Sequence, residues 1–138
     1  MDKFELQDFN KRIELNTDLK NISVQICNYY DLGVFISNEL IEIGYEDYNY
    51  YLTTSKGKYC VKIFSKIRTS DDIKNYLERI RVVANSEVSS PKPLLINNDI
   101  HLSLDYENNH YDICVFEYID GKNYFELNQK ARIQRFRL

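Results

Sequence analysis

A chain of 138 residues has the length of one small domain, or of one lobe of a larger fold, and can bury about two-thirds of the surface that its unfolded form exposes. Its formal net charge of −3 and pI of about 5.4 argue against a nucleic-acid surface over most of its length. The twelve tyrosines have no basic groove beside them, so they read as strand and core-rim residues and not as base-stacking platforms.

Residues 1–31 are compatible with helix, with Leu15, Leu19, Ile22 and Ile26 recurring at threes and fours and Thr17 or Asp18 as the cap. From Leu40 the period changes to two. Leu40–Gly44, Tyr48–Thr54 and Tyr59–Phe64 read as three strands of an antiparallel meander, with Gly44 and Gly57 marking the turns. Thr69-Ser70-Asp71-Asp72 then supplies a cap and first-turn carboxylates for a helix whose apolar face is Ile73, Leu77, Ile80 and Ala84, flanked by Tyr76 and Val83. That helix ends near residues 85–90, because Pro91 and Pro93 forbid its continuation and start an extended segment at Leu94–Ile96. Two further strands, Ile100–Tyr106 and Tyr111–Ile119, are separated by the turn Glu107-Asn108-Asn109, and the last ends at Asp120-Gly121. The expected fold is α+β, an antiparallel five-stranded sheet with one packed helix, preceded by helical residues 1–31.

The cysteines, Cys27, Cys60 and Cys114, are odd in number and far apart, with no C-x-x-C pair and no histidine at metal-ligand spacing, which is the pattern of reduced thiols. The start, Met1-Asp2-Lys3-Phe4-Glu5, has neither a basic nor an apolar leader region, and nowhere do 18 apolar residues run together. The expected setting is cytoplasmic, with no membrane partner.

One residue breaks the strand pattern. In Tyr59-Cys60-Val61-Lys62-Ile63-Phe64, Lys62 falls on the same face as Cys60 and Phe64, so something must face its ammonium. Around it stand Gly44-Tyr45-Glu46-Asp47-Tyr48-Asn49-Tyr50-Tyr51, Gly57-Lys58, Ser90-Pro91-Lys92-Pro93-Leu94 and Val115-Phe116-Glu117-Tyr118-Ile119-Asp120-Gly121. In this order the motifs resemble the amino-terminal lobe of the aminoglycoside phosphotransferase and choline kinase-like family, which includes homoserine kinases and hydroxylysine kinases. The likeness covers roughly residues 30–127 and implies a protein kinase-like lobe at 32–121, with 122–138 as a basic linker.

That resemblance implies an ATP site. Lys62 is the counterpart of the family's phosphate lysine, and Cys60, two residues before it on the same face, would roof the adenine. Gly44 and Asn49 bound a turn that brings backbone amides toward phosphate. Glu78, on the following helix, is the expected partner of Lys62. In the hinge, Phe116 is the gatekeeper, the Glu117 carbonyl the acceptor and the Ile119 amide the donor for adenine.

Phosphoryl transfer in the family also needs a catalytic-loop aspartate, a downstream asparagine and a second aspartate for Mg²⁺, written about as H-G-D-x-x-x-x-N and then I-D. His101 and His110 both precede the hinge and only 17 residues follow Gly121. The sequence therefore reads as the ATP-binding lobe of a small-molecule kinase, truncated before its catalytic lobe, with any Mg²⁺ site in that absent lobe. The alternative is a non-catalytic binding or regulatory module that keeps the lobe's fold, and in either case a separate carboxy-terminal lobe or partner protein would cover the underside of the sheet. Residues 128–138 carry a charge of +4 against −7 for the rest, which marks a basic tail.

Overall fold

The computed structural model describes residues 10–15, 17–41, 47–86 and 91–119. Its elements run α1 (Leu19–Tyr30), β1 (Phe35–Leu40), β2 (Tyr48–Thr54), β3 (Gly57–Ile63), α2 (Ser70–Ala84), β4 (Leu102–Tyr106) and β5 (Asn109–Glu117). The five strands form one sheet in the order β1-β2-β3-β5-β4, antiparallel at every pairing.

Asp18 caps α1 by accepting a bond from the Lys20 amide at 3.0 Å, so of the two candidate caps it is the aspartate that serves. The helix stops at Asp31, which is left-handed and returns its amide to the Cys27 carbonyl. Gly33 follows at φ +86, where a β-carbon would stand 2.3 Å from the Ser55 hydroxyl. That closeness matters because the same hydroxyl accepts the Val34 amide and ties the start of β1 to the β2–β3 turn.

Thr69 opens α2 with a reciprocal capping box: its hydroxyl takes the Asp72 amide and the Asp72 carboxylate takes the Thr69 amide, each at 3.1 Å. The helix buries Tyr76, Leu77 and Ile80 against the sheet. They pack with Cys60, Cys114 and Phe116, which one face of β3 and β5 presents, and with Phe64 just past the end of β3. On the opposite face Ile22, Ile26 and Cys27 of α1 pack with Tyr50, Leu52, Val61, Ile63, Leu104, Ile113 and Val115. Burying Ile22 and Ile26 completely contributes about 1.5–3 kcal/mol for each side chain.

Helices thus cover both faces. The expected single packed helix is α2, and α1, from within the residues expected to be helical, forms the second layer. The strands already carry its mark: Tyr48, Asn49 and Tyr50 are buried in succession, as are Cys60 to Ile63, whereas a sheet with one wet face alternates.

The first strand needs correcting. β1 ends at Leu40, where a strand Leu40–Gly44 was expected to begin; Ile41 lies past the strand, and residues 42–46, including Gly44, fall outside the described residues. Phe35 to Leu40 was missed because this edge strand has an irregular burial pattern, with a register shift between Phe35 and Ser37 that breaks strict alternation. Boundaries of the last two strands differ by about two residues from expectation. The proline segment runs alongside β5, with the Leu94 amide on the Val115 carbonyl and the Glu117 amide on the Lys92 carbonyl.

Candidate functional site

Asn49, Lys62 and Cys114 lie side by side across β2, β3 and β5, in a row on the sheet face that α2 packs against. Lys62 is 5% exposed, so its ammonium must be compensated inside the protein. Asp47, at the entry to β2, supplies a carboxylate for it. Its Oδ2 accepts from Lys62 Nζ at 3.2 Å and from Arg68 NH2 at 2.9 Å, and its Oδ1 accepts from Arg68 Nε at 2.7 Å and from the Ser65 amide at 2.9 Å. Arg68, in the connection from β3 to α2, therefore grips the carboxylate with both arms of its fork, the strongest geometry available to such a pair.

Aromatic rings back the cations. Lys62 Nζ lies 5.1 Å from the Tyr76 ring centre, and the Arg68 guanidinium lies 5.4 Å from Tyr76 and 5.9 Å from Phe64. Burial alone would raise the Asp47 carboxyl, but the Lys62 charge, the Arg68 fork and the Ser65 amide outweigh it and hold the group below its ordinary value. Burial in turn draws the Lys62 ammonium down, and Asp47 opposes that pull. In the same row, burial pushes the Cys114 thiol up to about 12.

Asn49 is 1% exposed, and its Nδ2 reaches the Asp47 carbonyl at 3.4 Å while its Oδ1 is buried without a hydrogen-bond partner. Across the β2–β3 pair this residue stands opposite Lys62.

The expected pairing of Lys62 with Glu78 is not what the structure forms. Glu78 is exposed on the outer side of α2 and takes Arg81 NH1 at 2.8 Å, one turn along the same helix. The reason lies in the helix period: the sheet-facing stripe is Tyr76, Leu77 and Ile80, and position 78 turns away from it.

Cys60 shares the Lys62 face as expected, but it is completely buried in the cluster with Phe116, against which Tyr51 and Tyr118 pack. A base could stack on Cys60 only after this cover moves. Tyr51 and Tyr118 meet edge to face at 5.6 Å, with Lys58 Nζ at 4.5 Å from both ring centres. Phe116 is fully buried opposite Cys60 across the β3–β5 pair, Glu117 ends β5 exposed, and Ile119 is half-buried beyond it. The site as built thus includes Asp47, Arg68, Tyr51, Tyr118 and Lys58, none of which was singled out from the sequence. Asp47, Tyr51, Lys58 and Tyr118 sit inside the quoted motifs and only Arg68 lies outside them; an acid two residues before a strand asparagine was the available signal.

Comparison with known proteins completes the picture. The family model described as "Phosphotransferase enzyme family" matches residues 37–137. The chain belongs to that family. Among curated relatives, a homoserine kinase of Paraburkholderia phymatum is 36% identical over 66 residues, and one of Burkholderia vietnamiensis is 34% identical over 70. These matches take in 48% and 51% of this chain but only 20% and 21% of the relatives, so the chain spans about a fifth of their length. A solved structure, that of a microcompartment-associated aminopropanol kinase, superposes with a TM-score of 0.60 at 16% identity, covering 79% of this chain and 34% of that one. At that identity the likeness is one of fold, and it places the five-stranded sheet and its helix as a kinase-like amino-terminal lobe. Among the described residues no group of three or more His, Cys, Asp or Glu side chains is assembled to hold a metal ion, and no helix is long and apolar enough to cross a membrane.

Proposed function

We propose that this chain supplies the ATP-binding lobe of a small-molecule phosphotransferase, and that the groups which complete catalysis come from outside these 138 residues. The observation that carries the reading is the buried Lys62 on β3, beside the strand that leads into the hinge motif and on the face where α2 packs. A flexible, backed ammonium in that position can neutralise phosphate oxygens, and the buried, unpartnered Asn49 Oδ1 can receive a hydroxyl that arrives with them. Phe116, the Glu117 carbonyl and the Ile119 amide would line the base. ATP brings Mg²⁺ as its charge partner in this chemistry; both Asp47 oxygens already serve Lys62 and Arg68, so the described residues are not fitted to ligate the ion.

The acceptor class we infer is a small amino alcohol, in keeping with the homoserine and aminopropanol kinases to which the chain is similar. Its hydroxyl would be oriented by a separate carboxy-terminal lobe or partner protein.

A second reading has an observation of its own. The Asp47 clasp on Lys62 and the buried state of Cys60 describe a closed face, which suits a non-catalytic module that kept the lobe's fold. Binding separates the two. ATP added to the labelled chain should shift amide resonances of β3, β5 and the hinge, and Lys62→Met should abolish the effect. Phosphoryl transfer to homoserine or aminopropanol should stay at the buffer blank with the chain alone. Shifts that persist unchanged in Lys62→Met, or no binding at all, would remove the nucleotide reading in favour of the module.

A further inference from the structure

Three elements converge on one carboxylate. Lys62 comes from β3, Arg68 from the connection to α2 and Asp47 from the entry to β2, and the four donor distances on Asp47 run from 2.7 to 3.2 Å. A phosphate group asks for the same arrangement, since a guanidinium fork and an ammonium recognise carboxylate and phosphate oxygens by the same geometry. Neither cation depends on Asp47 alone for its place, because the Tyr76 ring faces both of them and the Phe64 ring faces Arg68. Beside them the Asn49 acceptor is buried and unpartnered, an arrangement that protein interiors avoid unless something is still to arrive.

We propose that Asp47 is a built-in counter-anion standing where phosphate oxygens go, and that Arg68 joins Lys62 in binding a polyphosphate once Asp47 swings aside. This rests on the nucleotide reading above and adds to it a second phosphate-binding cation and an internal competitor. Affinity for polyphosphate is then the difference between what the anion gains from Lys62 and Arg68 and what Asp47 gives up. The closed face is the resting state of the site, and no steric plug is required to keep small anions out of it.

The test uses the full chain, isotope-labelled, titrated by NMR at fixed ionic strength with sodium tripolyphosphate and separately with ATP, without added metal. Arg68→Gln, which leaves the Lys62–Asp47 pair in place, should weaken tripolyphosphate binding about tenfold, because the anion forfeits one charge-assisted bond and Asp47 competes harder for Lys62. Asp47→Asn should strengthen it by a similar factor. Should Asp47→Asn not fold, as circular dichroism would show, Arg68→Gln decides the matter. Unchanged affinity in Arg68→Gln, or a folded Asp47→Asn that binds no tighter than the parent, overturns the proposal. The arms also separate it from the nucleotide reading. ATP binding that is lost in Lys62→Met but indifferent to Arg68→Gln keeps the nucleotide site and sinks the counter-anion. Tripolyphosphate binding with the expected pattern, and ATP no tighter, keeps the two-cation site and removes the adenine pocket.

Discussion

Removing Asp47 should cost far more stability than removing Lys62, although the two are partners in one ion pair. In Asp47→Ala a Lys62 ammonium whose side chain is 7% exposed and an Arg68 guanidinium at 19% each lose the Asp47 carboxylate, and the Ser65 amide loses its acceptor. Removing one partner of a buried ion pair costs about 3–5 kcal/mol, and here a single carboxylate serves two cations. In Lys62→Met the carboxylate retains three of its four donors, the two from Arg68 and the one from Ser65. That substitution removes a single charge-assisted bond of about 1.5–3 kcal/mol, and most of it is offset because the ammonium no longer has to be desolvated and the methionine stem still packs on Tyr76, so the net cost is about 1 kcal/mol. The expected gap is therefore at least about 2 kcal/mol, or roughly 5–10 °C in melting temperature for a domain of this size. Urea unfolding followed by circular dichroism measures it directly. A gap below about 1 kcal/mol would show that the carboxylate is not the centre of the cluster.

Other outcomes follow from the same geometry. Thr69→Ala should destabilise by about 1 kcal/mol, since it removes one half of the capping box of α2, whereas Thr69→Ser should be nearly neutral in the same denaturation assay. All three cysteines are buried, and burial raises the thiols of Cys27 and Cys114, so none should react with an aromatic disulfide reagent faster than the chain unfolds; a rapid stoichiometric phase would contradict the packing. Because its folded value is depressed, Asp47 adds stability that is complete above its unfolded value of about 3.9 and disappears as pH falls through the folded one, so acid should erode the parent more steeply than Asp47→Ala. His110 has the opposite sign: its bond to Asp105 raises its value, aided by Asp112, so its contribution is complete below about 6.5 and lost as pH climbs through the folded value. An NMR titration midpoint at or below about 6.5, or one unmoved by Asp105→Asn, would refute that assignment.

Much of the fold was legible because its signals are local. The Thr69 cap and the prolines after α2 each depend on neighbours within a few residues, and both mark real features of the chain, whereas the switch to period 2 was placed at Leu40 although β1 already begins at Phe35. The faces of β3 followed from alternation alone, which set Lys62 with Cys60 and Phe64. Edge strand β1 was not legible, since its alternation is interrupted by the register shift, nor was the packing of α1 on the far face, which depends on contacts between segments distant in sequence.

The choice of partner for Lys62 shows where local reasoning ends. A glutamate on the following helix was the family's pattern, and Glu78 was the glutamate at hand, but helical geometry sends position 78 outward to Arg81. Asp47 lies 15 residues before Lys62, and nothing in the strand pattern couples them. What couples them is burial: a lysine carried into the interior by the sheet must meet a carboxylate within about 4 Å, and such a carboxylate must be brought by whichever segment the topology lays beside it. In an antiparallel β2–β3 pair, where Asn49 stands opposite Lys62, that segment is the chain just before β2. Asp47, the residue that enters β2, is therefore the group best placed to report whether Lys62 is holding an internal carboxylate or an external phosphate.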